Sequence, residues 1–225
     1  MSDFSVEDIR ALSEMKKDEF DQTRKDLGLW DTTGINEKNA TEALFKVDDC
    51  LKEKGIRYWL CYGTALGMYR DGNFIPWDDD VDIHTVASEF EPIFDELIET
   101  FINNGIICRA VKRDLSSKMS LFYKGIKIQL QGIYETEDMS DMIQTKLFKY
   151  PKRFYYSNAQ TYNYKGRDFT LPGPADEYLT FCYDKDWNTP QNIPDWRDYM
   201  NIDQIKDESW KFSHNYHNNR KKGKK

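Results

Sequence analysis

No stretch of the sequence approaches the run of about eighteen apolar residues that a membrane-crossing helix needs. Met1 is followed at once by polar Ser2-Asp3, without the basic and apolar segments of a secretory leader, so a cytoplasmic protein with no transmembrane segment is expected. Cysteine is sparse. Cys50, Cys61, Cys108 and Cys182 stand apart with no C-x-x-C spacing, which argues against a zinc or disulfide framework and predicts reduced thiols. Positive charge is also short: a net charge of −7 lacks the basic footprint of a nucleic-acid-binding surface, and no such partner is expected. What the chain does have is aromatic residues, at 15%, to build a core that its aliphatic content alone would not fill. Its 225 residues suffice for one well-buried domain.

Periodicity predicts a polar N-terminal helix over residues 5–27 and a second helix over 37–54, with Ala40, Leu44, Val47 and Leu51 on one stripe and Gly55 as its stop. A strand from Arg57 to Tyr62 follows. Ser88 and Glu91 have capping-box spacing for a helix running to Asn104. Strands are predicted over Ile106–Val111, Met119–Tyr123 and Ile126–Tyr134, the last two joined by a Lys124-Gly125 turn. A short helix over Asp138–Phe148, a hairpin around Lys165-Gly166-Arg167 and a helix from Ala175 to about Cys182 complete the pattern. Beyond Pro194 periodicity fades into a basic tail, where His214 and His217 receive no role. The expected division is an N-terminal helical extension (1–36), a main domain (37–194) and a polar tail (195–225). The expected fold class is α+β, a small mixed sheet flanked by helices.

The most informative stretch is Leu60–Thr85. An apolar run breaks at Gly63-Thr64, a short helical pattern follows, and four aspartates arrive in five positions: Asp78, Asp79, Asp80 and Asp82. In a strand, Asp80 and Asp82 share one face while Val81 and Ile83 share the other. Carboxylates about 7 Å apart on one face repel each other unless a cation joins them, and hard oxygen ligands suit Mg²⁺ or Mn²⁺. Asp78 is a third ligand if the strand begins that early. A solvated acidic loop is the plain alternative, but such a loop has no need of Pro76-Trp77 on one side and a β-branched alternation on the other. An EF-hand is disfavoured, because counting from Asp78 puts Ile83 where the loop needs glycine. A Gly-Thr turn between strand and helix suits a phosphate, so Gly63 and Thr64 are the binding candidates; Arg70 is either a guanidinium fork for that phosphate or a surface residue capping its short helix. Tyr69 and Trp77 are expected to pack beneath the aspartate loop. His84 continues the aspartate face, where a lone histidine is more often structural.

Gly63-Thr64-Ala65-Leu66-Gly67, Arg70 and the run Gly72 to Ile83 resemble the signature of the LicD/fukutin family. Leu171-Pro172, Glu177-Tyr178-Leu179, Tyr183, Trp187 and Pro190 resemble a later motif of the same family, so the likeness spans roughly Asn39 to Pro190. The resemblance implies a nucleotidyltransferase-like fold, Asp78, Asp80 and Asp82 as catalytic metal ligands, and a CDP-linked donor such as CDP-choline or CDP-ribitol. It implies transfer of a phospho-alcohol group to a hydroxyl of a carbohydrate or glycoconjugate, with Mg²⁺ or Mn²⁺ as cofactor.

One departure from that pattern stands out. The fold usually draws a third carboxylate from a neighbouring strand, here expected at 126–131, whose polar face is Lys127, Gln129 and Gln131. Two other readings follow: a nucleotidyltransferase acting on an NTP, or a non-catalytic binding module.

Overall fold

The alternating segments assemble into one mixed sheet. A computed structural model describes residues 4–135, 142–145, 148–193 and 196–201. Strand β1 (Tyr58–Leu60) pairs antiparallel with β2 (Asp80–Val86), which runs parallel to β5 (Ile126–Glu135). The sheet continues antiparallel through β4 (Lys118–Tyr123) to β3 (Ile107–Val111). The α+β class read from the sequence is the observed one. In the parallel register Asp80 lies opposite Lys127, Asp82 opposite Gln129 and His84 opposite Gln131.

One face of β2 and β5 is apolar, and Val81, Ile83, Ile128 and Leu130 are buried in the main core. Helix α3 (Glu37–Glu53) covers it with Leu44, Val47 and Leu51, and α6 (Phe94–Asn103) adds Leu97 and Phe101. Full burial of such side chains is worth about 1.5–3 kcal/mol each, more than helix propensity supplies. The opposite face carries Asp80 and Asp82.

Around the aspartates run α4 (Tyr62–Asp71), directly after β1, and α7 (Ala175–Tyr183), which follows the β8–β9 hairpin (Gln160–Tyr164 and Arg167–Leu171). The predicted strand Arg57–Tyr62 therefore ends early, because Tyr62 already opens α4.

Three helical expectations are corrected. Residues 5–27 form two helices, α1 (Val6–Glu14) and α2 (Lys17–Asp26). The Arg109 guanidinium donates to the carbonyls of Ser13, at 2.8 Å, and Met15, satisfying the end of α1 where another turn would otherwise have grown. Both helices bury Ile9, Leu12 and Phe20 against Ile102, Ile107 and Phe122, a second small core on the outer strands.

The single helix expected from Ser88 is also broken, into α5 (Ala87–Phe90), a 3-10 turn at Glu91–Ile93, and α6. Pro92 lacks the amide that a continuous helix needs. Glu91 closes no capping box: its carboxylate accepts hydrogen bonds from Ser117 and from the Tyr134 hydroxyl, the latter at 2.7 Å. Finally, Met142–Gln144 is strand β6, pairing with β5 and with β7 (Lys149–Pro151), where a helix over Asp138–Phe148 was expected. The rest of that expectation includes 138–141 and 146–147, outside the described residues. Helix α8 (Trp196–Tyr199) follows, and most of the expected tail, with His214 and His217, is likewise outside.

Candidate active site

The turn from β1 into α4 is made by Tyr62, whose φ of 48° lies in the left-handed region. A non-glycine residue there costs on the order of 1–2 kcal/mol. Tertiary contacts offset it: the Tyr62 amide donates to the Tyr178 hydroxyl at 3.2 Å, its hydroxyl bonds that of Tyr150, and its ring meets the edge of His84. Tyr178 belongs to the second stretch that carried the resemblance, so one motif caps the helix on which the other begins.

Past α4 the chain returns through Phe74 and Ile75, both buried, to the aspartates. The loop is pinned from outside the predicted domain. The Ile35 amide donates to the Pro76 carbonyl at 3.2 Å, and the Trp30 indole N–H to the Asp79 carbonyl at 2.6 Å. Trp77 sits at the outer side of this turn and is 39% exposed, so the expectation that it packs beneath the loop is corrected. Tyr69 instead meets the ring of Trp187, 5.9 Å between centroids.

Asp78, Asp79 and Asp80 each offer a carboxylate oxygen within 4.8 Å of the others. Asp79 was not among the sequence candidates, and Asp82 stands outside this group, on the strand. Asp78 precedes β2, so it reaches the cluster from the loop and not by strand alternation. Burial, with the Asp80 charge second, pushes the Asp78 carboxyl up to about 7. Burial and then Asp80 raise Asp79, and burial followed by Asp80 and Asp78 holds Asp82 well above the usual carboxylate range. Crowded carboxylates of this kind are short of positive charge, and hard oxygens at this spacing fit a hard divalent cation such as Mg²⁺ or Mn²⁺.

Gly63 has a requirement of its own: a β-carbon there would stand 2.3 Å from Asp78 Oδ2. The group that approaches this glycine is thus the Asp78 carboxylate, where the sequence suggested a phosphate. Thr64 is buried, and its hydroxyl oxygen accepts the Asp82 amide at 2.8 Å, tying α4 to β2. Arg70 is similarly committed. Its fork binds both oxygens of Asp71, at 2.9 and 2.7 Å, and its remaining nitrogen reaches the Trp187 carbonyl at 3.3 Å. With its side chain 6% exposed, Arg70 joins α4 to the segment after α7.

His84 lies beyond Asp82 on the same face but beneath a layer of tyrosines. Its Nδ1 is 2.8 Å from the Tyr155 hydroxyl, and burial pushes it down to about 3, so it is neutral at physiological pH. On β5, Lys127 Nζ binds Asp80 Oδ2 at 2.6 Å, while Gln129 Oε1 accepts from Ser120 Oγ at 3.1 Å. Among the functional candidates, sequence reasoning missed Asp79, Lys127 and Trp30. Lys127 was legible as part of the polar face of its strand. Trp30 had no signal, because it meets Asp79 across 49 residues of chain. The four cysteines are buried free thiols.

The site's elements coincide with a recognised domain. The family model described as "LicD/FKTN/FKRP, nucleotidyltransferase domain" matches residues 55–174, just over half of the chain. The ribitol-5-phosphate transferase FKTN of Mus musculus is 27% identical over 170 residues, covering 71% of this chain and 35% of its own length. The ribitol 5-phosphate transferase FKRP of Homo sapiens is 54% identical over 33 residues, 15% of this chain and 7% of its own. An uncharacterized protein of Rickettsia typhi is 26% identical over 183 residues, 75% of this chain and 50% of its own. The chain thus spans about a third of the length of FKTN and half that of the rickettsial protein. With β1, α4, the aspartate loop, β2 and β5 all inside the matched span, the chain belongs to the LicD/FKTN/FKRP family.

Proposed function

We propose that this chain is a divalent-metal-dependent phosphotransferase that moves a phospho-alcohol group, alditol phosphate or phosphocholine, from a CDP-linked donor to a hydroxyl of a glycan. The observation that carries the reading is the convergence of the Asp78, Asp79 and Asp80 carboxylates, with Asp78 against Gly63 and the Asp82 amide bonded to Thr64 in the first turn of α4. That FKTN and FKRP are ribitol-phosphate transferases supports the nature of the transferred group.

The aspartates would hold Mg²⁺ or Mn²⁺, which when bound neutralises donor phosphates and orients them for in-line attack. Thr64 keeps Asp82 in register with α4, and Gly63 leaves room for Asp78. Burial and the Asp80 charge raise the Asp78 carboxyl to about 7, so Asp78 qualifies to take the proton of the attacking hydroxyl. Residues 37–194 form the catalytic unit in this reading, and the preceding segment braces it through Trp30 and Ile35. Among the described residues no helix is long and apolar enough to cross a membrane.

A second reading, a non-catalytic nucleotide- or glycan-binding member, is favoured by one observation: Gln129, opposite Asp82, is neutral. Incubation with CDP-ribitol, CDP-glycerol, CDP-choline and NTPs in Mg²⁺ separates the possibilities by ³¹P NMR. Release of CMP, with the phospho-alcohol group passing to an added sugar hydroxyl or to water, supports the phosphotransferase. Release of pyrophosphate from an NTP makes the chain a nucleotidyltransferase, and binding without turnover of any donor favours the module.

A further inference from the structure

The carboxylates of this site already have a cation among them. Lys127 Nζ lies 2.6 Å from Asp80 Oδ2, with the two side chains only 16% and 18% exposed. Among the described residues it is Lys127 that forms an ion pair with this aspartate group. It is held in place from two directions. Trp30 presents its ring face 4.5 Å from Nζ, a cation–π contact, and the same indole donates its N–H to the Asp79 carbonyl. One residue of the N-terminal segment thus orients both the metal loop and the lysine. An ammonium has three donors, and Asp80 and the indole face use two directions, leaving one for a phosphate oxygen.

The next pair along the ladder is equally telling. Asp82 faces Gln129, whose amide is turned to β4: its oxygen takes the Ser120 hydroxyl and its nitrogen reaches the Met119 carbonyl at 3.4 Å. Two divalent ions side by side, at the roughly 3.5–4 Å separation of two-metal sites, need bridging and flanking carboxylates. Here one oxygen of Asp80 is already neutralised, and the strand beside Asp82 offers an amide.

We propose that Lys127, positioned by Trp30, is a built-in cation of the site: it restricts the aspartates to a single divalent ion and presents its ammonium to the diphosphate of the donor. The inference rests on the phosphotransferase reading for the identity of that anion. It makes Lys127 a substrate-contacting residue and Trp30 a positioning residue.

The consequence is a pair of effects with opposite signs. Calorimetric titration of the wild type with Mn²⁺ in the presence of CDP should give one ion per chain. Lys127→Met should bind Mn²⁺ about tenfold more tightly without nucleotide, since a competing charge is gone, and should bind CDP in EDTA about tenfold more weakly. Lys127→Arg should stay near wild type in both. Two ions in the wild type would overturn the proposal without any variant being needed. So would Lys127→Met weakening Mn²⁺ and CDP together, the mark of a merely structural lysine. The two readings fail separately: a wild type that turns over no donor but keeps the opposite-sign shifts loses the phosphotransferase assignment and retains the built-in cation.

Discussion

Gly63 and Asp78 meet at a separation that admits no side chain, since a β-carbon on the glycine would stand 2.3 Å from the carboxylate. By helix propensity alone, alanine in α4 would stabilise by about 1 kcal/mol. Here the methyl group must displace Asp78, whose short side chain hangs from a pinned loop. Gly63→Ala should therefore lose the thermal stabilisation that Mn²⁺ plus CDP gives the wild type, and turnover should fall at least about tenfold. Melting curves with and without ligands check this, and a wild-type shift in the variant would mean that Asp78 needs no fixed place.

Asp78 also sets a pH dependence. Its folded pKa, about 7, lies above the ordinary carboxylate value of 3.8, so the fold gains from keeping this proton. That gain is complete below about pH 4 and is lost as pH rises through 7. Metal-free protein should melt higher at pH 5 than at pH 8, and Asp78→Asn should flatten the trend. Metal binding runs the other way, tightening with pH because the ligand must first lose its proton. Melts in EDTA and Mn²⁺ titrations at several pH values test both directions.

Asp80→Asn and Asp82→Asn should each abolish turnover, yet their stabilities should differ. Asp82 is crowded by Asp80 and Asp78, so removing its charge should leave the fold as stable or slightly more so. Asp80 is the partner of Lys127, and its amide variant strands a mostly buried ammonium, at a cost of about 1–2 kcal/mol. Urea denaturation should separate the two, and equal stabilities would show that the Lys127 pair contributes nothing.

Arg70→Lys should behave as a structural lesion. Lysine cannot hold both oxygens of Asp71 and the Trp187 carbonyl at once, and the loss should destabilise by about 1–3 kcal/mol. The KM for the donor in the folded protein should change little. A large rise in KM at unchanged stability would instead return Arg70 to phosphate binding.

The alternations at Asp80–Val86 and Ile126–Glu135 are visible in the residue order because side-chain direction in a strand has a period of two, and burial of one face reinforces it. The stripe of α3 was legible for the same kind of reason, as was the run of aspartates. Local rules failed where a distant partner competed. Nothing near residue 15 announces that Arg109 will take the end of α1, and nothing near Ser88 announces that Glu91 will turn to Ser117 and Tyr134.

The sequence by itself determined which groups are available: carboxylates at 78–80 and 82, a glycine at 63, a fork at 70, a lysine at 127. Only the tertiary structure decided how each is used. It set Asp78 against Gly63, committed Arg70 to Asp71 and Trp187, buried His84 beneath tyrosines, and brought Trp30 onto Asp79 and Lys127. The reason is physical. Composition and spacing specify charge and periodicity along the chain, but partners are chosen by loop closure and packing between segments tens of residues apart, where direct contact and burial decide the pairing.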